Sequence, residues 1–272
     1  MTAWRFARRW AVALLVLAVP AGALAQTATQ SQFQPEVGQQ GKDVVWVPTP
    51  EALVQKMLDM AKVTPKDFVM DLGSGDGRTV IGAAKRGAHA LGIEYNPDMV
   101  ELSRRNAKEA GVSDRAKFEK ADLFKTDLSR ATVITMFLLT DINLRLRPTI
   151  LNLKPGTRVV SNTFRMGDWE PDETAELGCS SYCTAYLWIV PAHVEGVWKT
   201  GQGELTLRQT YQTVSGTLSS GGKSSPVQRG KLRGDQISFT AGGAEYRGRV
   251  GDKGIQGTVK SGAKSERWSA SR

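Results

Sequence analysis

One stretch, Phe68-Val69-Met70-Asp71-Leu72-Gly73-Ser74-Gly75-Asp76-Gly77-Arg78, limits the folds open to this chain more than any other. Three apolar residues run into Asp71-Leu72, three glycines alternate, and Thr79-Val80-Ile81-Gly82-Ala83-Ala84-Lys85 resumes at helical period. This is the pattern of a strand, a tight turn and a helix start. A buried parallel strand followed by such a turn sets bare backbone at the carboxyl edge of a sheet, where open α/β folds bind their ligands. Glycine belongs there because a Cβ would meet the ligand or forbid the positive φ of the turn. The spacing argues against a dinucleotide, which wants G-x-G-x-x-G with its pyrophosphate on a helix N-terminus. Here the glycines fall at Gly73, Gly75 and Gly77, one residue too tight at the third position. Asp71 stands just before the turn, where its charge opposes a pyrophosphate and suits a cation.

The chain beyond the turn repeats strand and helix. His89–Glu94 reads as a second apolar strand ending in an acid, and Asn96-Pro97 starts a helix running to about Ala110, with proline in its first turn. Ala116–Lys120 is a third strand leading to Asp122, and Ala131–Leu138 a fourth, followed by a helix near Asp141–Asn152 and a fifth strand ending at Asn162. Such alternation implies right-handed βαβ crossovers and a parallel sheet. Glu94 lies 23 positions after Asp71, near the spacing at which an acid meets ribose hydroxyls. A carboxylate can accept hydrogen bonds from both vicinal hydroxyls. Asp71, Glu94 and Asp122 thus fall at three strand ends beside a glycine turn, a more specific signal than the turn alone.

The D-x-G-x-G-x-G turn with these acids resembles motif I and its partners in the class I S-adenosylmethionine-dependent methyltransferases. Together with Val45-Trp46-Val47-Pro48-Thr49-Pro50 and the amphipathic stretch Glu51–Ala61, it looks like the mitochondrial protein-lysine methyltransferases of the ATP synthase c subunit and adenine nucleotide translocase, and like their bacterial relatives. Arg158-Val159-Val160-Ser161 and Trp169-Glu170-Pro171 fit the same group, so the resemblance spans about residues 44–172. It implies a Rossmann-like class I methyltransferase sheet with flanking helices. It also implies an S-adenosylmethionine site drawn from Thr49, Asp71, Gly73, Ser74, Gly75, Gly77, Glu94 and Asp122. Within that set Asp122 would meet the adenine amino group, and Thr49 would lie in a Pro-Thr-Pro loop that closes over the cofactor.

Methyl transfer from a sulfonium is an in-line displacement with a good leaving group, so alignment supplies most of the catalysis. No catalytic base is named; Asp141, Asn143 and Trp169 are candidates for the rim of the acceptor side, each also readable as a cap or packing residue. Phe137-Leu138-Leu139-Thr140 follows the fourth strand in place of Asn-Pro-Pro-Tyr, Asp-Pro-Pro-Tyr or a Pro-Cys nucleophile. That argues against DNA-adenine, glutamine and cytosine-5 methylation. What the resemblance implies is N-methylation of a protein lysine. The alternatives are a small-molecule or lipid acceptor, or an exported binding protein without catalysis. With His89 and His193 the only histidines and no spaced partners, no metal site is expected.

The charge divides the chain. Residues 1–25 hold three arginines and no acids, residues 26–193 hold 20 Lys and Arg against 21 Asp and Glu, and residues 194–272 hold 13 against 6. The first segment reads as a signal peptide: Arg5, Arg8 and Arg9, an apolar core Ala11–Val19, and Ala23-Leu24-Ala25 for cleavage. Residues 26–42, rich in Gln, Thr and Gly, read as a linker, and 43–193 as the methyltransferase domain. Export to the periplasm follows from the leader; a retained, inner-membrane-anchored or cytoplasmic form is the alternative, because S-adenosylmethionine is made in the cytoplasm. Cys179 and Cys183 read equally as a disulfide or as two thiols. Residues 194–272 show seven short alternating runs punctuated by glycine, from Glu204–Gln209 to Glu266–Ala270. This predicts a small antiparallel β meander or barrel, similar to calycin-like modules. Its charge suits an anionic partner or a membrane surface, while the scarcity of aromatic residues in its strands speaks against nucleic acid.

Overall fold

The computed structural model describes residues 1–2 and 33–272, apart from Ser180 and Gln202. The expected leader lies outside the described residues except for Met1 and Thr2, as does the first part of the expected linker, residues 26–32.

The apolar run before the glycine turn forms β1 (Phe68–Leu72), buried from Val69 onward. β1 pairs in parallel with β2 (His89–Glu94) on one side and β4 (Val133–Met136) on the other. β3 (Ala116–Lys120) extends the sheet beside β2, and β5 (Arg158–Asn162) extends it beside β4. Two further strands close the far edge: β7 (Thr184–Ile189) runs antiparallel to β5, and β6 (Glu173–Glu176) antiparallel to β7. The order is therefore β3-β2-β1-β4-β5-β7-β6. Chain direction around the sheet reverses between β1 and β4, and the crevice at such a switch point is where open α/β sheets take ligands.

Successive strand residues feed opposite faces, as the pleat requires. Val69, Val133 and Val160 join one core with Leu53 and Leu58 of α1 (Glu51–Met60), Val80 of α2 (Arg78–Lys85) and Val100 of α3 (Pro97–Glu109). Met70, Ile134 and Val159 join the other with Ile142, Leu146 and Ile150 of α4 (Thr140–Leu151). α3 starts as its sequence dictates: Asn96 caps it by accepting from the Asp98 amide at 2.9 Å, and Pro97 follows. The expected parallel strands and helices are all present. The pair β6 and β7 was not among the expectations, because a strand flanked by cysteines and turn residues gives no βαβ signal.

The C-terminal segment is a closed barrel of β8 (Gly196–Thr200), β9 (Gly203–Thr210), β10 (Thr213–Ser220), β11 (Lys223–Arg233), β12 (Gln236–Ala241), β13 (Ala244–Gly251), β14 (Gly254–Ser261) and β15 (Lys264–Ser271). Seven of these strands match the expected runs. The eighth, β8, closes the ring through Ala270↔Thr200 and Ser271↔Lys199. Its alternation was too short to read, since Trp198 is its one buried side chain.

The barrel is seated on the sheet domain by aromatic and polar contacts. Tyr211, between β9 and β10, stacks on Trp169 at 5.9 Å between ring centroids and donates to Asp168 Oδ1 at 3.0 Å. Gln212 Nε2 donates to the Glu170 carbonyl at 2.7 Å, and the Ala192 amide to the Gly234 carbonyl at 2.8 Å. Trp169 is thus fully buried at a junction, the packing role its position also allowed, and not on the rim.

Candidate functional site

A cavity of about 380 Å³ opens at the carboxyl edges of β1, β2, β3 and β4, and the segment 39–49 covers it. Of the expected site residues, Thr49, Asp71, Gly73, Ser74, Gly75, Glu94 and Asp122 all line it. Gly77 does not. It caps the start of α2 at φ +83, and a Cβ there would lie 2.7 Å from the Phe118 ring. Gly77 therefore keeps the turn close against β3 and α3, a packing requirement behind the site. Gly75, at φ +53, is covered by the indole of Trp46, whose Nε1 would stand 2.7 Å from an added Cβ. The missing Cβ lets the Trp46 indole lie directly on the turn.

The acids sit in different electrostatic settings. Asp71 is buried and receives one hydrogen bond, from Thr135 Oγ1 at 2.6 Å. Burial in this dry strand end, with further repulsion from Asp76 and Glu94, pushes its carboxyl up to about 7. A carboxylate so poorly compensated is a seat for a cation. Glu94 is tied to the loop it faces: Oε2 accepts from the Gly75 amide at 3.0 Å and Oε1 from the Asn96 amide at 2.9 Å. Each oxygen keeps lone pairs for a ligand hydroxyl. Asp122 is held by the Phe124 amide at 3.0 Å and by Lys42 Nζ at 2.9 Å. The hydrogen bond from Lys42 holds its carboxyl below the usual range.

Thr49 is fixed from two directions. Its Oγ1 receives Asn162 Nδ2 from the end of β5 at 3.3 Å, and its carbonyl receives Arg78 NH1 at 2.8 Å. Arg78 in turn forks Asp76, with Nε at 3.0 Å from Oδ1, so the Pro-Thr-Pro loop is clamped to the glycine turn. The Ser74 hydroxyl is buried without a hydrogen-bond partner, a polar atom waiting for a ligand.

The sequence reading missed several lining residues. Lys42 and Gln39 fell in the expected linker, yet the Trp46 amide donates to the Gln39 carbonyl at 2.8 Å and the Gly38 amide to the Trp46 carbonyl at 2.9 Å, folding this stretch into a cover. Tyr95, next to Glu94, carries Lys42 Nζ 4.8 Å from its ring centroid. Phe137, Phe164 and Tyr182 line the opposite end. Of the other rim candidates, Asp141 is exposed on α4, whereas Asn143 is buried and donates to the Phe164 carbonyl at 3.1 Å. Cys179 and Cys183 form a disulfide.

A glycine turn against three separated acids, one of them a buried carboxylate with a single side-chain hydrogen bond, fits a nucleoside joined to a cationic chain. Comparison with known proteins agrees. The ANTKMT methyltransferase domain matches residues 71–173. A protein-lysine N-methyltransferase of Saccharolobus islandicus is 44% identical over 155 residues, 55% of this chain and 96% of that one. The adenine nucleotide translocase lysine N-methyltransferase of Mus musculus is 33% identical over 145 residues, covering 53% of this chain and 61% of that protein. Among solved structures, an RNA methyltransferase from Salinibacter ruber in complex with S-adenosylhomocysteine is 49% identical with a TM-score of 0.52, covering 54% of this chain and 96% of that one.

Fold, site and comparisons together define an S-adenosylmethionine-dependent methyltransferase. Within that class, the chain belongs to the same family as the Saccharolobus islandicus protein-lysine N-methyltransferase, with the ANTKMT methyltransferase domain matching this chain's residues 71–173.

Proposed function

We propose that the protein transfers a methyl group from S-adenosylmethionine to the Nε of a protein lysine. The observation that carries this is the wall opposite the acids: Phe137-Leu138-Leu139 follows β4 where a polar loop would grip a planar nitrogen. Its support is the 44% identity to a protein-lysine N-methyltransferase over nearly that protein's whole length. In this reading Glu94 accepts both ribose hydroxyls, Asp122 exchanges Lys42 for the adenine amino group, and Asp71 faces the cationic amino-acid end. The unpartnered Ser74 hydroxyl supplies a polar atom near that end, and Thr49 closes the loop above it. The bound cofactor supplies an electrophilic methyl on a positive sulfur. An amine held in line with that methyl would take it with its own lone pair, leaving the carbon–sulfur pair on sulfur and its proton to solvent. The chain's contribution is alignment and exclusion of water.

Two finer parts belong to the same reading. The barrel, with its excess of Lys and Arg, serves as a docking module for an anionic partner, either an acidic protein or lipid headgroups. Export rests on the leader sequence, and the Cys179–Cys183 disulfide supports an oxidising compartment.

The test adds the purified protein and methyl-tritiated S-adenosylmethionine to a lysate of cells lacking the protein and follows the label that appears only when the protein is added. Label in protein, as methyllysine after hydrolysis, is the expected result. Label in RNA would favour the activity named for the Salinibacter relative, and label in the lipid fraction would favour a lipid acceptor; either outcome overturns the lysine assignment.

A further inference from the structure

The sheet edge divides its chemistry. The strand ends at β1, β2 and β3 present the acids Asp71, Glu94 and Asp122, and the ends at β4, β5 and β7 present aromatic rings. Phe137 follows β4, Phe164 follows β5, and Tyr182 precedes β7, whose antiparallel course brings its start to this same edge. All three line the cavity. Phe137 stacks on Phe164 at 5.9 Å with 26° between planes and meets Tyr182 edge-on at 5.2 Å with 62°. Two rings in one orientation with a third turned across them make a corner of π faces, the arrangement that holds alkylated ammonium groups.

The corner is braced on every side. The Phe164 carbonyl accepts from Ser161 Oγ at 2.7 Å and Asn143 Nδ2 at 3.1 Å, and the Thr163 amide reaches across to the Thr184 carbonyl at 2.7 Å. Tyr182 is 41% exposed and sits at φ +54, a backbone state that costs a non-glycine residue about 1–3 kcal/mol unless its surroundings impose it. Tyr182 lies between Cys179 and Cys183, which are joined by a disulfide, and the Leu177 amide donates to the Cys183 carbonyl at 2.9 Å.

We infer that Phe137, Phe164 and Tyr182 form the acceptor subsite, that it takes a methylated ammonium, and that the disulfide is the positioning element for Tyr182. The inference rests on the lysine reading and deepens it. As the methyl transfers, positive charge moves from sulfur to nitrogen, and ring faces around the nitrogen stabilise it there. A mono- or dimethylated product binds the same faces and can return as substrate, so the subsite favours multiple methylation.

The test titrates the full chain, saturated with S-adenosylhomocysteine, with end-capped Nε-trimethyllysine and with the neutral isostere carrying carbon in place of nitrogen. The cation is expected to bind about tenfold tighter than the isostere. Tyr182→Ala and Phe164→Ala lose that preference and Tyr182→Phe keeps it, with S-adenosylhomocysteine affinity unchanged in all three. Opening the disulfide with excess dithiothreitol, which yields two thiols, weakens trimethyllysine binding and leaves S-adenosylhomocysteine binding alone. Equal affinity for cation and isostere, or alanine variants that bind both ligands as the parent does, overturns the inference. A parent that binds the cation selectively yet labels RNA overturns the lysine reading while leaving the ammonium site standing. A parent that does not bind S-adenosylhomocysteine overturns both.

Discussion

Asp71 gives the cofactor site a pH dependence that can be worked through in advance. In the free protein its carboxyl is raised from 3.8 to about 7 by burial. The folded state therefore keeps a proton that the unfolded chain has released between those values. With more protons on the folded state, stability falls as pH rises through this window. A rise of that size corresponds to on the order of 4 kcal/mol. A cationic ligand reverses the preference, because it stabilises the ionised carboxylate and must expel the proton to bind below pH 7. Affinity for S-adenosylmethionine is then expected to fall about tenfold for each pH unit below 7 and to level off above it. Calorimetric titrations from about pH 5.5 to about pH 8.5, in buffers of differing ionisation heat, measure both the affinity and the released proton. Thermal unfolding of the parent against Asp71→Asn isolates the stability term, since the oppositely shifted Asp67, held low by Arg158 and Thr132 against its burial, is common to both. Asp71→Asn should gain on the parent as pH rises from 3.8 to about 7 and hold a constant margin above that. It should also bind cofactor poorly at every pH. A flat affinity profile with no proton released, or an Asn variant binding as the parent does, refutes the assignment of Asp71 to the cationic end.

Three other perturbations follow from particular contacts. Lys42→Met frees Asp122 from its 2.9 Å partner; calorimetry should show S-adenosylmethionine binding tighten, and weaker binding would make Lys42 a cofactor contact and not a competitor. Gly77→Ala forces a side chain into φ +83 and against Phe118; denaturant unfolding should show a loss of at least about 2 kcal/mol, and an unchanged midpoint would contradict the packing role. Tyr211→Ala removes the ring stacked on Trp169; calorimetry should resolve separate unfolding of barrel and sheet where the parent unfolds together, and a single unshifted transition would deny the junction its importance.

The parallel half of the fold was legible because short strand runs such as β1 and β4 alternate with helical stretches such as α1 and α3, separated by turn residues. Asp71, Glu94 and Asp122 were legible for the same reason, since strand ends fix where a following acid must stand. Two things were not. β6 and β7 pair antiparallel, a relation set by contacts that no local pattern announces. Lys42 looked like linker because composition reports solvation and not the hydrogen bonds that fold residues 38–46 over the site. The aromatic corner was hidden more thoroughly: Phe137, Phe164 and Tyr182 share no motif and meet only when three strands align.

The central claim is that the acids and glycine turn bind S-adenosylmethionine, and calorimetric titration of that cofactor into the full chain freed of bound ligand tests it most directly. The account predicts micromolar or tighter binding, weakened about a hundredfold or more in Glu94→Ala, which removes charge-assisted bonds to both ribose hydroxyls. A folded parent that shows no binding, or a Glu94→Ala variant that binds as tightly as the parent, would contradict it.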